Sequence, residues 1–446
     1  MLLERAHDRA VPLPLRCPDG CGVTSNLTRS KALVLIITVG FLLRLCYALA
    51  VSDDHPAWID SQHYLSIGHS IATNFQYANF WRASAGQQQF GDVGPTSARE
   101  PLYPLFLGLQ FKLFGYSLRT VFVIQALVGV LTIPLCFGLG TNLFSSRVAL
   151  VAALLESVNP YHIYYIGVVA TETITSVLLL ASVFFTLRIC QAATKGQSIS
   201  RGHVISLALL LSAGILHRTV FVPIVLITLI FIGVACYRWS AALAPAARTV
   251  GVLLLAIAAC ISPWFIRNYL LWHTFVYQTN AGATLLGGFN DLATGGQELT
   301  VPLNLEGVLM SQGYNEIDRD RRFRQEASGW ILSHPARAAY LIGKKQLIFW
   351  SPVPANVKGY PKYLGTAWGF ILLILTFIGL LSAQADRFAL KYVLAVIVSY
   401  ALVHSFSIAI TRYRIPLEGI LTVFAGYGVA FCLRASVLSR LSCRRQ

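Results

Sequence analysis

Three carboxylates stand apart from the other acidic residues of this chain. Asp60 sits in Trp58-Ile59-Asp60-Ser61-Gln62-His63-Tyr64, Glu100 in Arg99-Glu100-Pro101-Leu102-Tyr103-Pro104, and Glu172 follows the aromatic-rich run from Tyr161 to Thr171. Each lies at the end of an apolar run or in the loop after the first one. A carboxylate in that setting can accept a proton, pair with a guanidinium or hold a hard cation. Structural duties compete with these. Asp60 could cap a helix beginning near Ser61, Glu100 could be a salt-bridged turn residue beside Arg99, and Glu172 could pair with His162 or an arginine.

Arginines supply the complementary half. Arg218 follows His217, Arg267 closes Pro263-Trp264-Phe265-Ile266-Arg267-Asn268, and Arg412 and Arg414 flank Tyr413. One guanidinium at a membrane interface needs no special purpose, because it can snorkel to headgroups. Four at the same ends of three apolar runs are better matched to an anionic ligand, since phosphate takes several charge-assisted donors. Arg44 differs in lying well inside an apolar run, and Glu156 is the acid expected to neutralise it there.

The elements that must position these groups are membrane helices. Of 446 residues, 55% are hydrophobic and only 12% charged, and the mean hydropathy is +0.62. That is too little polar surface to coat a soluble globule. Apolar runs of about 20 residues predict helices rather than barrel strands. Ten spans are expected, near 32–51, 120–140, 147–165, 170–190, 203–217, 219–236, 249–266, 365–382, 390–408 and 417–433. Ala48-Leu49-Ala50 mimics a signal-peptidase site, but the long polar lead and Arg44 favour a retained anchor.

Charge sets the expected orientation. With both termini inside, the inner segments carry 17 basic and 4 acidic residues, and the outer ones 17 and 14. The bias places 1–31 and 434–446 in the cytoplasm and the three carboxylates outside, in an inner-membrane protein. The formal charge of +16 is then a topology signal, and no nucleic-acid partner is implied. None of the nine cysteines falls in an expected outer loop, which argues against a disulfide framework. Cys17 and Cys21 are spaced like half of a metal knuckle with no second pair.

Between the tails, the transmembrane domain 32–433 carries two long outer loops, 52–119 and 267–364, a length that usually marks function. Leu102–Phe114 is apolar but too short to span, and is expected to rest on the outer leaflet. Ala83–Ser97 reads as a lid or a connector. From Glu316 to Trp350, Ile317, Phe323, Ala327, Trp330 and Ile331 recur at helical spacing, which predicts an amphipathic helical pair.

In this order, Asp60 with Tyr64, Arg99-Glu100-Pro101-Leu102-Tyr103-Pro104-Leu105, Asn159-Pro160 with Thr171-Glu172, His217-Arg218, Pro263 to Asn268 and Arg412-Tyr413-Arg414-Ile415-Pro416 resemble the GT-C membrane glycosyltransferases. The likeness is to the family-39-like group of bacterial aminoarabinose transferases and protein O-mannosyltransferase relatives. The resemblance implies an all-α polytopic fold. It also implies a hexosyl- or pentosyltransferase that takes sugar from a polyprenyl-phosphate donor and passes it, with inversion, to a glycan, lipid or protein outside the cytoplasm. It maps the catalytic base to Asp60 and a second catalytic acid to Glu172. Glu100 maps to a position near a metal or the donor phosphate, so a Mg²⁺ or Mn²⁺ ion shared with Asp60 is an expectation. Arg218, Arg267, Arg412 and Arg414 are expected on the donor phosphate, and Tyr64, Arg99, Tyr103 and His217 on the substrate. Pro101 departs from the lysine some relatives carry there, and the Trp-Trp-Asp signature of oligosaccharyltransferases is absent. A transporter or flippase for a lipid-linked glycan or anion, and a non-catalytic subunit of envelope-glycan assembly, are the alternative readings.

Overall fold

The computed structural model describes residues 22–51, 58–85, 88–354, 357 and 359–443. Cys17 and Cys21 lie outside them. Among the described residues, eight helices are long and apolar enough to cross a membrane: Thr28–Ala50, Leu118–Leu143, Glu172–Thr194, Phe221–Ser240, Leu243–Trp272, Tyr360–Ser382, Arg387–Phe406 and Thr411–Arg434. They coincide with eight of the ten expected spans.

The other two take shorter forms. Expected span 147–165 is a helix of 12 residues, Ser146–Ser157, followed by a separate short helix, Pro160–Tyr164. Proline disfavours helical backbone at the residue before it, and the Asn159 side chain accepts from the amides of Tyr161 and His162, so the chain restarts there. Expected span 203–217 is the helix Arg201–His217. Its 17 residues rise about 25 Å, short of a hydrocarbon core of about 30 Å.

Among the eight spans, Glu172–Thr194 and Thr411–Arg434 are the most enclosed. Small residues let neighbours approach this closely. A Cβ on Gly379 would lie 2.0 Å from the Phe424 carbonyl oxygen, and one on Gly428 would lie 2.2 Å from that of Leu375. Apolar driving force is weak between helices in lipid, so backbone-to-backbone contact of this kind does much of the joining.

A polar cluster is sealed inside the bundle. Arg44 donates to the carbonyls of Gly40, Ser157 and Glu156 and stands 3.4 Å from Glu156 Oε1, with both side chains fully buried. The expected pair is therefore present. Thr132 and His162 meet the same Glu156 oxygen at 2.6 and 2.5 Å, and the other nitrogen of His162 meets the Ile415 carbonyl at 3.1 Å. This ties the first helix to the start of the last one.

Outside the spans, Leu102–Phe114 is one helix with Leu105, Leu109 and Leu113 exposed along one side. It packs on the helix Ile59–Asn74. There a Cβ on Gly68 would come within 2.9 Å of Leu107. The stretch 83–97 carries a two-stranded hairpin, Ala83–Ala85 with Gln88–Phe90, and the strand Gly94–Pro95 pairs with Ala78–Asn79. The helical pair is Glu316–Ser333 and Pro335–Phe349, and its buried face includes Phe323 and Ala327 as the spacing predicts. The Glu316 carboxylate accepts from the Ser97 amide and from the Thr96 and Thr279 hydroxyls. The two long loops are thereby clasped together.

Candidate active site

Asp60 occupies the first turn of the helix Ile59–Asn74, but it does not cap it. Trp58 holds the cap position without a side-chain bond. Asp60 instead reaches outward, with Arg99 at 2.7 Å from one carboxylate oxygen and Arg412 at 3.6 Å from the other. Its side chain keeps 34% of its surface open. Partial burial pushes the carboxyl up, but the guanidiniums of Arg99, Arg412 and Arg218 together outweigh it and hold the group down at about 2. Asp60 is ionised throughout the physiological range.

Arg99 is positioned by His63. Its Nη2 lies 3.1 Å from His63 Nδ1. A guanidinium only donates, so Nδ1 is the accepting nitrogen. The chain at Arg99-Glu100 is fixed by the Tyr77 hydroxyl, which donates to both carbonyls. Glu100 does not pair with Arg99 in a turn. It accepts the Thr219 amide at 3.2 Å and so anchors the backbone next to Arg218. Burial raises its carboxyl above the usual range, with backbone amides and Arg218 working against the shift.

Glu172 begins the helix Glu172–Thr194 and is completely buried. One of its oxygens takes Arg412 Nε at 2.5 Å and lies 3.5 Å from Arg218 Nη1. The other has no partner among the described residues. His162 pairs with Glu156, so of the alternatives for Glu172 the arginines are what the fold supplies.

Each of the three converging guanidiniums also rests on a ring. Arg99 lies 5.4 Å from the Tyr64 centroid, Arg218 5.1 Å from Tyr413, and Arg412 4.8 Å from Trp58. Stacking leaves the edges of a guanidinium available to an anion. Trp58, Tyr413 and His63 were not singled out from sequence, although all three sit inside the quoted motifs. Trp58 two residues before Asp60, and Tyr413 between Arg412 and Arg414, were the available signal.

Two of the four arginines do not join this group. Arg267 is committed to the first loop, donating to the carbonyls of Thr96 and Tyr77, both at 2.7 Å, and to Ser97 Oγ and Asn268 Oδ1. Arg414 is fully buried, donates to the Ser351 carbonyl at 2.7 Å and lies 3.2 Å from Glu418. Arg412 and Arg414 share a 3-10 turn, Thr411–Arg414, whose two charges find different partners. Tyr64, Tyr103 and His217 form a closed wall behind the charges. Tyr103 makes an edge contact with Tyr64 and donates to Gln125, while His217 meets the Thr171 carbonyl at 3.0 Å.

The donor set does not fit a hard dication. Among the described residues no three His, Cys, Asp or Glu side chains come together, and both oxygens of Asp60 face guanidiniums. A second cation would have to compete with them. What the arrangement offers is one accessible carboxylate beside two arginines that share a buried acid. That combination can take a proton and hold a phosphate next to it.

A protein-family model described as dolichyl-phosphate-mannose-protein mannosyltransferase matches residues 96–266. No curated protein matches. Among solved structures, ArnT from Cupriavidus metallidurans bound to undecaprenyl phosphate is similar at 14% identity and a TM-score of 0.52, over 89% of this chain and 60% of that one. The oligosaccharyltransferase AglB from Archaeoglobus fulgidus, with an inhibitory peptide and a dolichol-phosphate, is similar at 12% identity and 0.54, over 95% and 52%. An Archaeoglobus fulgidus oligosaccharyltransferase in complex with Zn and sulfate is similar at 14% and 0.51, over 91% and 51%. The chain spans between half and two thirds of the length of these proteins. The likeness shows a multi-pass helical membrane fold of the GT-C type, as the sequence resemblance implied.

Proposed function

We propose that this GT-C-type fold is a membrane glycosyltransferase, which moves a sugar from a polyprenyl-phosphate donor to a hydroxyl of a glycan, lipid or protein. The reading is supported by the family match over 96–266 and by lipid phosphates bound in structures of the same fold. The observation that carries it is the position of Asp60, open to the exterior of the fold and bracketed by Arg99 and Arg412.

In this mechanism Asp60 accepts the proton of the acceptor hydroxyl as that oxygen attacks the anomeric carbon. The bond from that carbon to the phosphate oxygen breaks on the opposite face, and the configuration inverts. The leaving polyprenyl phosphate becomes a dianion, and Arg412 and Arg218 bear its charge. The proton on Asp60 then passes to water. Drawing Arg412 onto the phosphate also weakens the clamp on Asp60, so the base gains proton affinity when the donor is in place.

Charge bias places this chemistry on the extracytoplasmic face of a cell membrane with both termini inside. The test is purified protein in vesicles with a radiolabelled polyprenyl-phosphate sugar and no ion gradient. Transfer of label to an acceptor, with inverted linkage, is expected. Passage of intact labelled lipid across the bilayer, without cleavage of the sugar–phosphate bond, would instead make the chain a flippase.

A further inference from the structure

Glu172 is placed where proton transfer is difficult and charge organisation is natural. It is completely buried, and its paired oxygen is occupied by Arg412 Nε at 2.5 Å, with Arg218 Nη1 at 3.5 Å. Asp60, the accessible acid, is reached through Arg412, whose Nη1 is 3.6 Å from it. Two guanidiniums brought together repel each other, most strongly where water is excluded. A buried carboxylate between them removes that cost. It also fixes which edge of each is used up, because Glu172 takes Arg412 by Nε and leaves the Nη fork, the edge that matches phosphate in bidentate fashion. The neighbouring Thr171 hydroxyl accepts from Arg218 at 3.3 Å and holds it from the same turn.

We infer that Glu172 is a positioning residue for the donor phosphate: it holds Arg412 and Arg218 convergent before the phosphate arrives, and it carries no proton in the reaction. This differs from the second catalytic acid that the sequence suggests, and it rests on reading the site as one for a polyprenyl-phosphate donor. The proton economy of the proposed reaction is complete without Glu172, since the acceptor proton passes to Asp60 and the leaving phosphate needs none.

The two roles separate experimentally. Binding of a short-chain polyprenyl phosphate, measured by calorimetry without turnover, and kcat at saturating donor are compared for the wild type, Glu172→Gln and Glu172→Asp. A positioning role predicts that Glu172→Gln weakens phosphate binding by about 10- to 100-fold, the loss of one charge-assisted contact. Its kcat at saturation stays within about 3-fold, well short of the loss that removal of a proton-transfer group causes. Glu172→Asp, which keeps the charge but shortens its reach to the two arginines, loses less affinity, about 3- to 10-fold, at near-normal kcat. Unchanged phosphate affinity in Glu172→Gln, with kcat lowered about 100-fold or more, is the signature of a proton-transfer group and overturns the inference. If Glu172→Gln does not fold, Glu172→Asp decides by itself: an altered affinity with near-normal kcat supports the role, and the reverse split rejects it. A wild type that binds no polyprenyl phosphate overturns the donor reading together with this inference, whereas wild-type binding left unaltered in both variants overturns the inference alone.

Discussion

Arg99 donates to one oxygen of Asp60 at 2.7 Å, while Arg412 stands farther back, 3.6 Å from the other. The proposed base is thus held tightly from the side of its own loop and loosely from the side of the proposed phosphate. That asymmetry suits a base that must gain proton affinity when donor binds.

The first consequence concerns pH. The Asp60 carboxyl is held at about 2, below its ordinary 3.8. The stability contributed by its ion pairs is therefore complete above about pH 4 and is lost as pH falls through about 2. Between pH 5 and 8 the kcat/KM profile of the wild type should have no acid limb from this group. Arg99→Gln removes the nearer cation, so its acid limb should move up by about one unit or more. A profile recorded from about pH 2 to 8 in lipid nanodiscs checks this, and an unmoved limb would detach Arg99 from the base.

Asp60→Asn should lower kcat by about 10²- to 10⁴-fold, the usual cost of losing a general base. Phosphate binding should persist or tighten, because Arg412 no longer shares its charge with Asp60. Single-turnover transfer and calorimetric binding of polyprenyl phosphate measure the two effects separately. Wild-type turnover in this variant would remove Asp60 from the mechanism.

Arg412 and Arg414 should behave unlike each other despite lying two residues apart. Arg412→Ala should raise the donor KM, with the folded yield close to that of the wild type. Arg414→Ala leaves the fully buried Glu418 without its cation, and breaking a buried pair from one side costs about 3–5 kcal/mol. Its defect should appear as a lower unfolding midpoint in detergent before any change in donor affinity. Equal midpoints for the two variants would contradict the assignment.

Lys345 gives a stability prediction that does not involve the carboxylates of the site. It is fully buried, with Nζ 3.4 Å from the Phe289 centroid and 3.2 Å from the Ser405 carbonyl. Burial pulls its amine from 10.5 down to about 7. The unfolded chain therefore binds the extra proton between pH 7 and about 10.5, and stability rises with pH across that window. Thermal midpoints of the wild type should climb from pH 7 to 9, and Lys345→Met should flatten the climb. Parallel curves for the two proteins would show that the lysine stays charged in the folded state.

Much of this molecule was legible in its sequence because membrane spans are local. Hydropathy sums residues that neighbour one another in the chain, and lipid forces each such run to satisfy its own backbone. Eight spans, the short apolar helix Leu102–Phe114 and the helical pair after Glu316 follow from local pattern alone. So does the Arg44–Glu156 pair, since an unmatched charge in hydrocarbon needs a partner of opposite sign and few are available. The same arithmetic overran at 147–165, where Asn159 and Pro160 end one helix and start another inside an otherwise apolar run.

Only the tertiary structure decided which charges meet. Asp60, Glu172, Arg218 and Arg412 come from four separated segments, and nothing local distinguishes Arg412 from Arg414 or Arg218 from Arg267. The direction of a side chain on a 3-10 turn and the packing of a helix some 240 residues away set those partners. Electrostatic convergence is a property of distance in space, which the order of residues along the chain does not encode at any one position.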